Sequence, residues 1–133
     1  MSQQTTTPVT AEQPDAPITL TGTDHITLEG TNPTETIAFY RDILGLPLVL
    51  SQPNLDRNHL THLYFDTGDG RLLTFFVHDD RDTADLSDPN PGQVHHLAFR
   101  INADEVGKTY TALEEADKPV SEFYRGAFHA LYT

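Results

Sequence analysis

Two histidines in this chain stand at matching places in two similar stretches. DHITLEGTNPTETIAFYRDIL and HHLAFRINADEVGKTYTAL align with one residue of slack, setting His25 against His96, Asn32 against Asn102 and Tyr40 against Tyr110. Agreement at so many positions reads as an internal repeat. Two repeats paired about a pseudo-two-fold axis bring equivalent positions toward each other, so His25 and His96 are candidates to converge on a shared cavity. Strand alternation puts Thr27 and Glu29 on the face of His25, and Ala98 and Arg100 on the face of His96. Two imidazoles with one carboxylate form the facial triad of non-haem Fe(II) oxygenases. Imidazole also suits Zn, Ni and Cu, so the pair alone does not choose a metal. The competing reading of each is a half-buried strand histidine with no ligand.

The other histidines say less. Alternation sends His95 to the face opposite His96, where it reads as a surface residue or a support for the site. His59, His62, His78 and His129 show no ligand spacing and read as surface or loop residues, with His78 ending a strand near a cavity mouth. The chain has no cysteine, which excludes disulfides, thiolate metal sites and a Cys nucleophile. Any metal is therefore held by His, carboxylate or water. No G-x-S-x-G, G-x-G-x-x-G or P-loop occurs, and Gly68-Asp69-Gly70 reads as a turn because no helix follows it.

The elements that must position these residues follow from the polarity pattern. Residues 1–17 are polar, Thr- and Pro-rich and aperiodic, with no basic n-region or apolar h-region, and read as a disordered tail. Residues 18–30 alternate as a half-buried strand. Asn32 then caps a helix with Pro33 at its first position and Glu35 three residues after the cap; Ile37, Tyr40 and Leu44 share a face, and Gly45 stops it. Segments 46–50, 59–67 and 72–78 read as strands, with turns at Asn54-Leu55-Asp56 and Gly68-Asp69-Gly70. The module over 18–80 is thus β-α-β-β-β, and a polar linker follows at 81–93. Over 94–133 the pattern restarts with a strand at 94–101, a helix after Asn102 carrying Val106, Tyr110 and Leu113, and strands at 120–125 and 127–133. The fold class is α+β, with the second module shortened to β-α-β-β.

Composition narrows the partners. Twenty acidic residues stand against eight basic ones, for a formal net charge of −12. Such a chain is a poor partner for nucleic acid or an anionic membrane, because phosphate binding rests on Lys and Arg. No run approaches the ~18 apolar residues of a membrane span, and a cytoplasmic location is expected. Two lysines, thirteen aspartates and eighteen threonines, with the acids spread along the chain, favour a protein built for a high-salt cytoplasm over an ordinary acidic one.

FYRDILGLPLVL after a DHITL strand resembles the first module of the vicinal-oxygen-chelate superfamily, which holds glyoxalase, bleomycin-resistance and extradiol dioxygenase proteins. Within it, HLYFDTGDGRLLTFF, GQVHHLAFR and YRGAFHALY are similar to ring-cleaving dioxygenases of the hydroquinone 1,2-dioxygenase type. The resemblance implies paired β-α-β-β-β modules and an Fe(II) or Mn(II) ion held by His25 and His96. It implies His95 near the metal, Arg125 and Tyr132 as catalytic residues of the pocket, and Thr27 near the substrate; Phe76 and Phe128 are, apart from the resemblance, apolar candidates to line a ligand cavity. The substrate would be a small hydroquinone- or catechol-like aromatic, with O₂. Asp24 stands where those enzymes usually have His, Ala127 where they usually have Tyr, and Thr74 where glyoxalase I enzymes hold a glutamate ligand.

The third ligand of such enzymes is a glutamate on a last strand that the sequence to Thr133 does not reach. The expectation is therefore a ring-cleaving dioxygenase with little activity as written, the alternative being a non-catalytic small-molecule-binding or glyoxalase-like protein of the same superfamily. The incomplete second module also leaves an open sheet edge, so a homodimer is expected.

Overall fold

The computed structural model describes residues 8–82, 88–125 and 128–133, the side chains of Arg125 and Phe128 excepted. Residues 8–24 carry no helix or strand, so the strand expected over 18–30 shortens to β1 (His25–Glu29). Asn32 caps the next element as expected, its side chain accepting the Glu35 N–H at 2.8 Å, with Pro33 in the first turn. The helix α1 (Pro33–Ile37) then widens into a π-helical stretch, Ala38–Ile43. Its end is closed by a bond from the Leu44 N–H to the Phe39 carbonyl at 3.0 Å and by Gly45 at φ 78°. Tyr40 there lies with its ring centroid 4.5 Å from that of Phe75 and 5.8 Å from that of Phe65.

Three strands follow: β2 (Leu48–Pro53), β3 (Thr61–Asp66) and β4 (Leu72–Val77). The sheet runs β1-β4-β3-β2, with β1 parallel to β4 and the other pairs antiparallel. A parallel pair needs a crossover, and the helix with β2 and β3 supplies it. Leu63, Phe65, Leu73, Phe75 and Val77 form the buried core of one sheet face, against which Leu28, Ile37, Tyr40, Leu46 and Leu48 pack. The alternate residues Thr27, His62, Tyr64, Thr74 and Phe76 therefore belong to the other face.

In the second module a 3₁₀ turn (Ala103–Glu105) leads into α2 (Val106–Glu115), and the hairpin β5 (Ser121–Arg125) and β6 (Phe128–Tyr132) follows. Asn102 precedes the turn, but its side chain makes no capping bond. The strand expected over 94–101 does not form: these residues carry no regular structure and all are exposed, Phe99 at 41% and Val94 at 57%. The reason lies in the topology. In the first module β4 sits between β1 and β3 and, among the described residues, gives β1 its only ladder. Among the described residues of the second module no counterpart of β4 exists, so 94–101 has nothing to pair with and β5–β6 stands as a separate two-stranded sheet.

Among the described residues no helix is long and apolar enough to cross a membrane. Residues 83–87 of the expected linker lie outside the described residues.

Candidate functional site

The polar face of the four-stranded sheet carries three of the expected site residues. Alternation along β1 puts His25, Thr27 and Glu29 on it, and β4 adds Thr74 and Phe76. Register sets Thr27 opposite Thr74 and Glu29 opposite Phe76. The Thr27 and Thr74 hydroxyls lie 2.7 Å apart, and Thr74, fully buried, also lies 2.8 Å from His62 Nε2. His62 Nδ1 is 2.8 Å from the Tyr64 hydroxyl, and Gln52 donates to that hydroxyl at 3.3 Å. The His62 ring packs edge-on against Phe76, with centroids 4.5 Å apart. Burial, and then the charge of His25, hold the His62 pKa below its ordinary value.

His25 is about half exposed, and its Nδ1 lies 2.7 Å from the Asp24 carboxylate. In the neutral ring Asp24 accepts from Nδ1–H, leaving the Nε2 lone pair for a ligand, the arrangement that orients metal-binding imidazoles. Glu29, on the His25 face of β1, and Glu122, on the hairpin, are both engaged elsewhere. Arg81 donates to Glu29 at 2.8 Å and to the carbonyls of Gly30 and Phe76 at 3.0 and 3.1 Å. Glu122 accepts from His129 Nε2 at 2.6 Å across the β5–β6 hairpin.

A second group forms around the hairpin. The rings of His96 and Tyr132 lie 6.4 Å apart, and Tyr132 also contacts Phe123. His95, expected on the opposite face from His96, instead has its Nδ1 2.8 Å from that of His96. With no strand at 94–101 the alternation that would separate the two rings does not operate, and one nitrogen donates to the other. Arg125 and Phe128 pair in register across the hairpin, but their side chains lie outside the described residues, as does Ala127.

The residues present fit a metal only in part. His25 and His96 offer imidazole nitrogens, but among the described residues no three His, Cys, Asp or Glu side chains gather around one point. The donor set of a facial triad is thus not assembled here. Two cavities of about 350 and 620 Å³ open elsewhere, where segment 97–102 stands off the 67–73 turn region and α2. Among the described residues neither is lined by an expected site residue, and both are gaps beside the unpaired segment; the hydrogen-bonded sheet face is the better candidate because it carries converging polar groups.

Sequence reasoning passed over His62, Tyr64 and Gln52. A signal was present: His62 and Tyr64, like Thr74 and Phe76, are two apart within strands, so each pair shares a face. What was missing was which strands are neighbours.

The family model of the Glyoxalase/Bleomycin resistance protein/Dioxygenase superfamily matches residues 22–133. Among solved structures, a candidate dioxygenase from Bacillus subtilis subsp. subtilis str. 168 is 27% identical with a TM-score of 0.71, over 83% of this chain and 36% of that one. The chain therefore spans about a third of that protein's length. A glyoxalase family protein from Enterococcus faecalis is 22% identical with a TM-score of 0.58, over 78% of this chain and 77% of that one. A variant of the fosfomycin resistance protein FosX from Listeria monocytogenes, complexed with Mn(II) and dihydroxypropylphosphonic acid, is 20% identical with a TM-score of 0.62, covering 86% and 85%. These last two likenesses bear on the fold. No curated protein matches the chain.

Proposed function

The chain belongs to the Glyoxalase/Bleomycin resistance protein/Dioxygenase superfamily, and from that premise we propose that it binds a hydroxylated aromatic of the hydroquinone or catechol kind against the polar face of its four-stranded sheet. The observation that carries this reading is the row His25, Thr27, Thr74 and His62 beside the Phe76 ring on one face. Phe76 offers apolar contact to a ring, and the Thr27 hydroxyl and the His25 imidazole offer partners for its oxygens. The 27% identity to the Bacillus candidate dioxygenase supports dioxygenase chemistry.

On this reading His25 and His96 are the nitrogen donors for Fe(II) or Mn(II), with His95 behind them. Arg125 would offset negative charge on the substrate, Tyr132 would hydrogen-bond it or move a proton, and Phe128 would line the cavity. With Glu29 and Glu122 engaged by Arg81 and His129, no carboxylate joins the two histidines among the described residues. Binding without turnover is therefore what the groups gathered among the described residues support.

The test combines calorimetric titration of catechol and hydroquinone with anaerobic Fe(II) binding and a ring-cleavage assay. Catechol binding that Phe76→Ala and Thr27→Val weaken, Fe(II) that dialysis removes, and little cleavage are expected. Catechol that does not bind, or that binds equally to both variants, would overturn the assignment of the site.

A further inference from the structure

The side chains of Gln52, Tyr64, His62, Thr74 and Thr27 form one unbroken hydrogen-bonded line across all four strands of the sheet, from β2 through β3 and β4 to β1. Among the described residues no buried polar side-chain atom lacks a partner. A polar row on a sheet face costs stability unless every member is satisfied. Valine at position 74 would fill nearly the same space without that demand. The line therefore calls for an account beyond packing.

Counting protons gives the line a direction. Gln52 has only N–H groups at its Nε2, so it donates to the Tyr64 oxygen at 3.3 Å. Tyr64 then gives its own proton to His62 Nδ1, since a phenol is the stronger donor and an imidazole nitrogen the stronger acceptor. A neutral imidazole that accepts at Nδ1 carries its proton at Nε2, which faces the Thr74 hydroxyl at 2.8 Å. Thr74 has one proton; having accepted from His62, it directs that proton to the Thr27 oxygen at 2.7 Å. The Thr27 proton is left to point away from Thr74. Burial favours the neutral His62 that this scheme uses.

We propose that Gln52, Tyr64, His62 and Thr74 are positioning residues that hold the Thr27 hydroxyl as an outward donor, selecting a ligand with an anionic or electron-rich oxygen, such as a phenolate, beside His25. The inference rests on the sheet-face site proposed above, but the direction of the line is measurable without any ligand. Long-range ¹H–¹⁵N NMR of the full chain identifies the protonated nitrogen of His62. The result expected is protonation at Nε2 in the wild type, with the pattern shifting toward Nδ1 in Tyr64→Phe. Protonation at Nδ1 in the wild type would overturn the proposal, and that result needs no variant to fold.

Binding supplies the second arm. Tyr64→Phe and Thr27→Val are expected to weaken catechol about 10-fold or more, as loss of a hydrogen bond to a charged group does, while Thr27→Ser restores it. The affinity for 1,2-dimethoxybenzene, whose ether oxygens cannot ionise and accept only weakly, should fall by markedly less than that for catechol in Tyr64→Phe and Thr27→Val. Equal losses for both compounds would overturn the donor role of Thr27. If neither compound binds while His62 carries its proton at Nε2, the sheet-face ligand reading fails and the direction of the line stands.

Discussion

At the scale of single residues, His62 departs furthest from its expected role. It was expected at the surface, yet it joins β3 to β4 through Thr74 and packs on Phe76 and Tyr64. Because its pKa is lowered in the fold from the ordinary 6.5, the neutral form is the one folding favours. That contribution is complete above about pH 6.5 and is lost as pH falls through the lowered value. The thermal midpoint of the wild type should therefore drop more between pH 7 and 5 than that of His62→Gln, which keeps a donor and an acceptor but cannot charge. Parallel pH profiles for the two proteins would remove this role. A further outcome concerns the nitrogens at 25 and 96. His25→Ala and His96→Ala should each weaken Fe(II) binding in an anaerobic titration, whereas Tyr132→Phe should leave it unchanged.

At the scale of elements, the close join between β1 and β4 is the sensitive place. Gly30 follows β1, and a Cβ there would come within 2.9 Å of Val77 Cγ1 and 3.3 Å of Phe75 Cβ, both in the core. Neither neighbour has room to move in a packed sheet face. Gly30→Ala should cost about 1–3 kcal/mol in urea unfolding, the usual penalty for overpacking. Gly70, in the β3–β4 turn at φ 83° with nothing within 4 Å of its Cβ position, makes the comparison. Gly70→Ala should lose only the ~1 kcal/mol of left-handed backbone strain. If the two variants are equally destabilised, close packing is not what position 30 requires.

For the whole molecule, charge and open edges set the behaviour. A formal charge of −12 spread along the chain repels itself in dilute buffer, and salt screens that repulsion. The unfolding midpoint should rise as KCl approaches molar concentration; a flat or falling midpoint would show that the acidic surface has no such role. The outer edge of β1, the hairpin and the unpaired segment 94–101 all leave strand positions open among the described residues. Leu97, Phe99, Ile101 and Phe123 are also exposed apolar groups there. An open edge is a template for another strand, so self-association is expected, and light scattering showing a monomer that persists at high concentration would count against it.

Much of this was legible in the residue order, because the signals are local. The Asn32 cap, Pro33, the turn at Gly68-Asp69-Gly70 and the two-residue alternation of β3 and β4 are properties of short windows, and each appears in the structure. So is the histidine at the start of β1. The π-helical widening after Ile37 and the absence of a strand at 94–101 were not legible. The first depends on how Tyr40 seats against Phe65 and Phe75, and the second on whether a neighbouring strand is present to accept a ladder. The candidate site divides the same way. His25, Thr27 and Phe76 could be placed on a strand face from alternation alone. Only the order β1-β4-β3-β2 brings Thr27, Thr74, His62, Tyr64 and Gln52 into one hydrogen-bonded line, because hydrogen bonds between side chains 12 and 47 residues apart require strand neighbours that spacing along the chain does not specify.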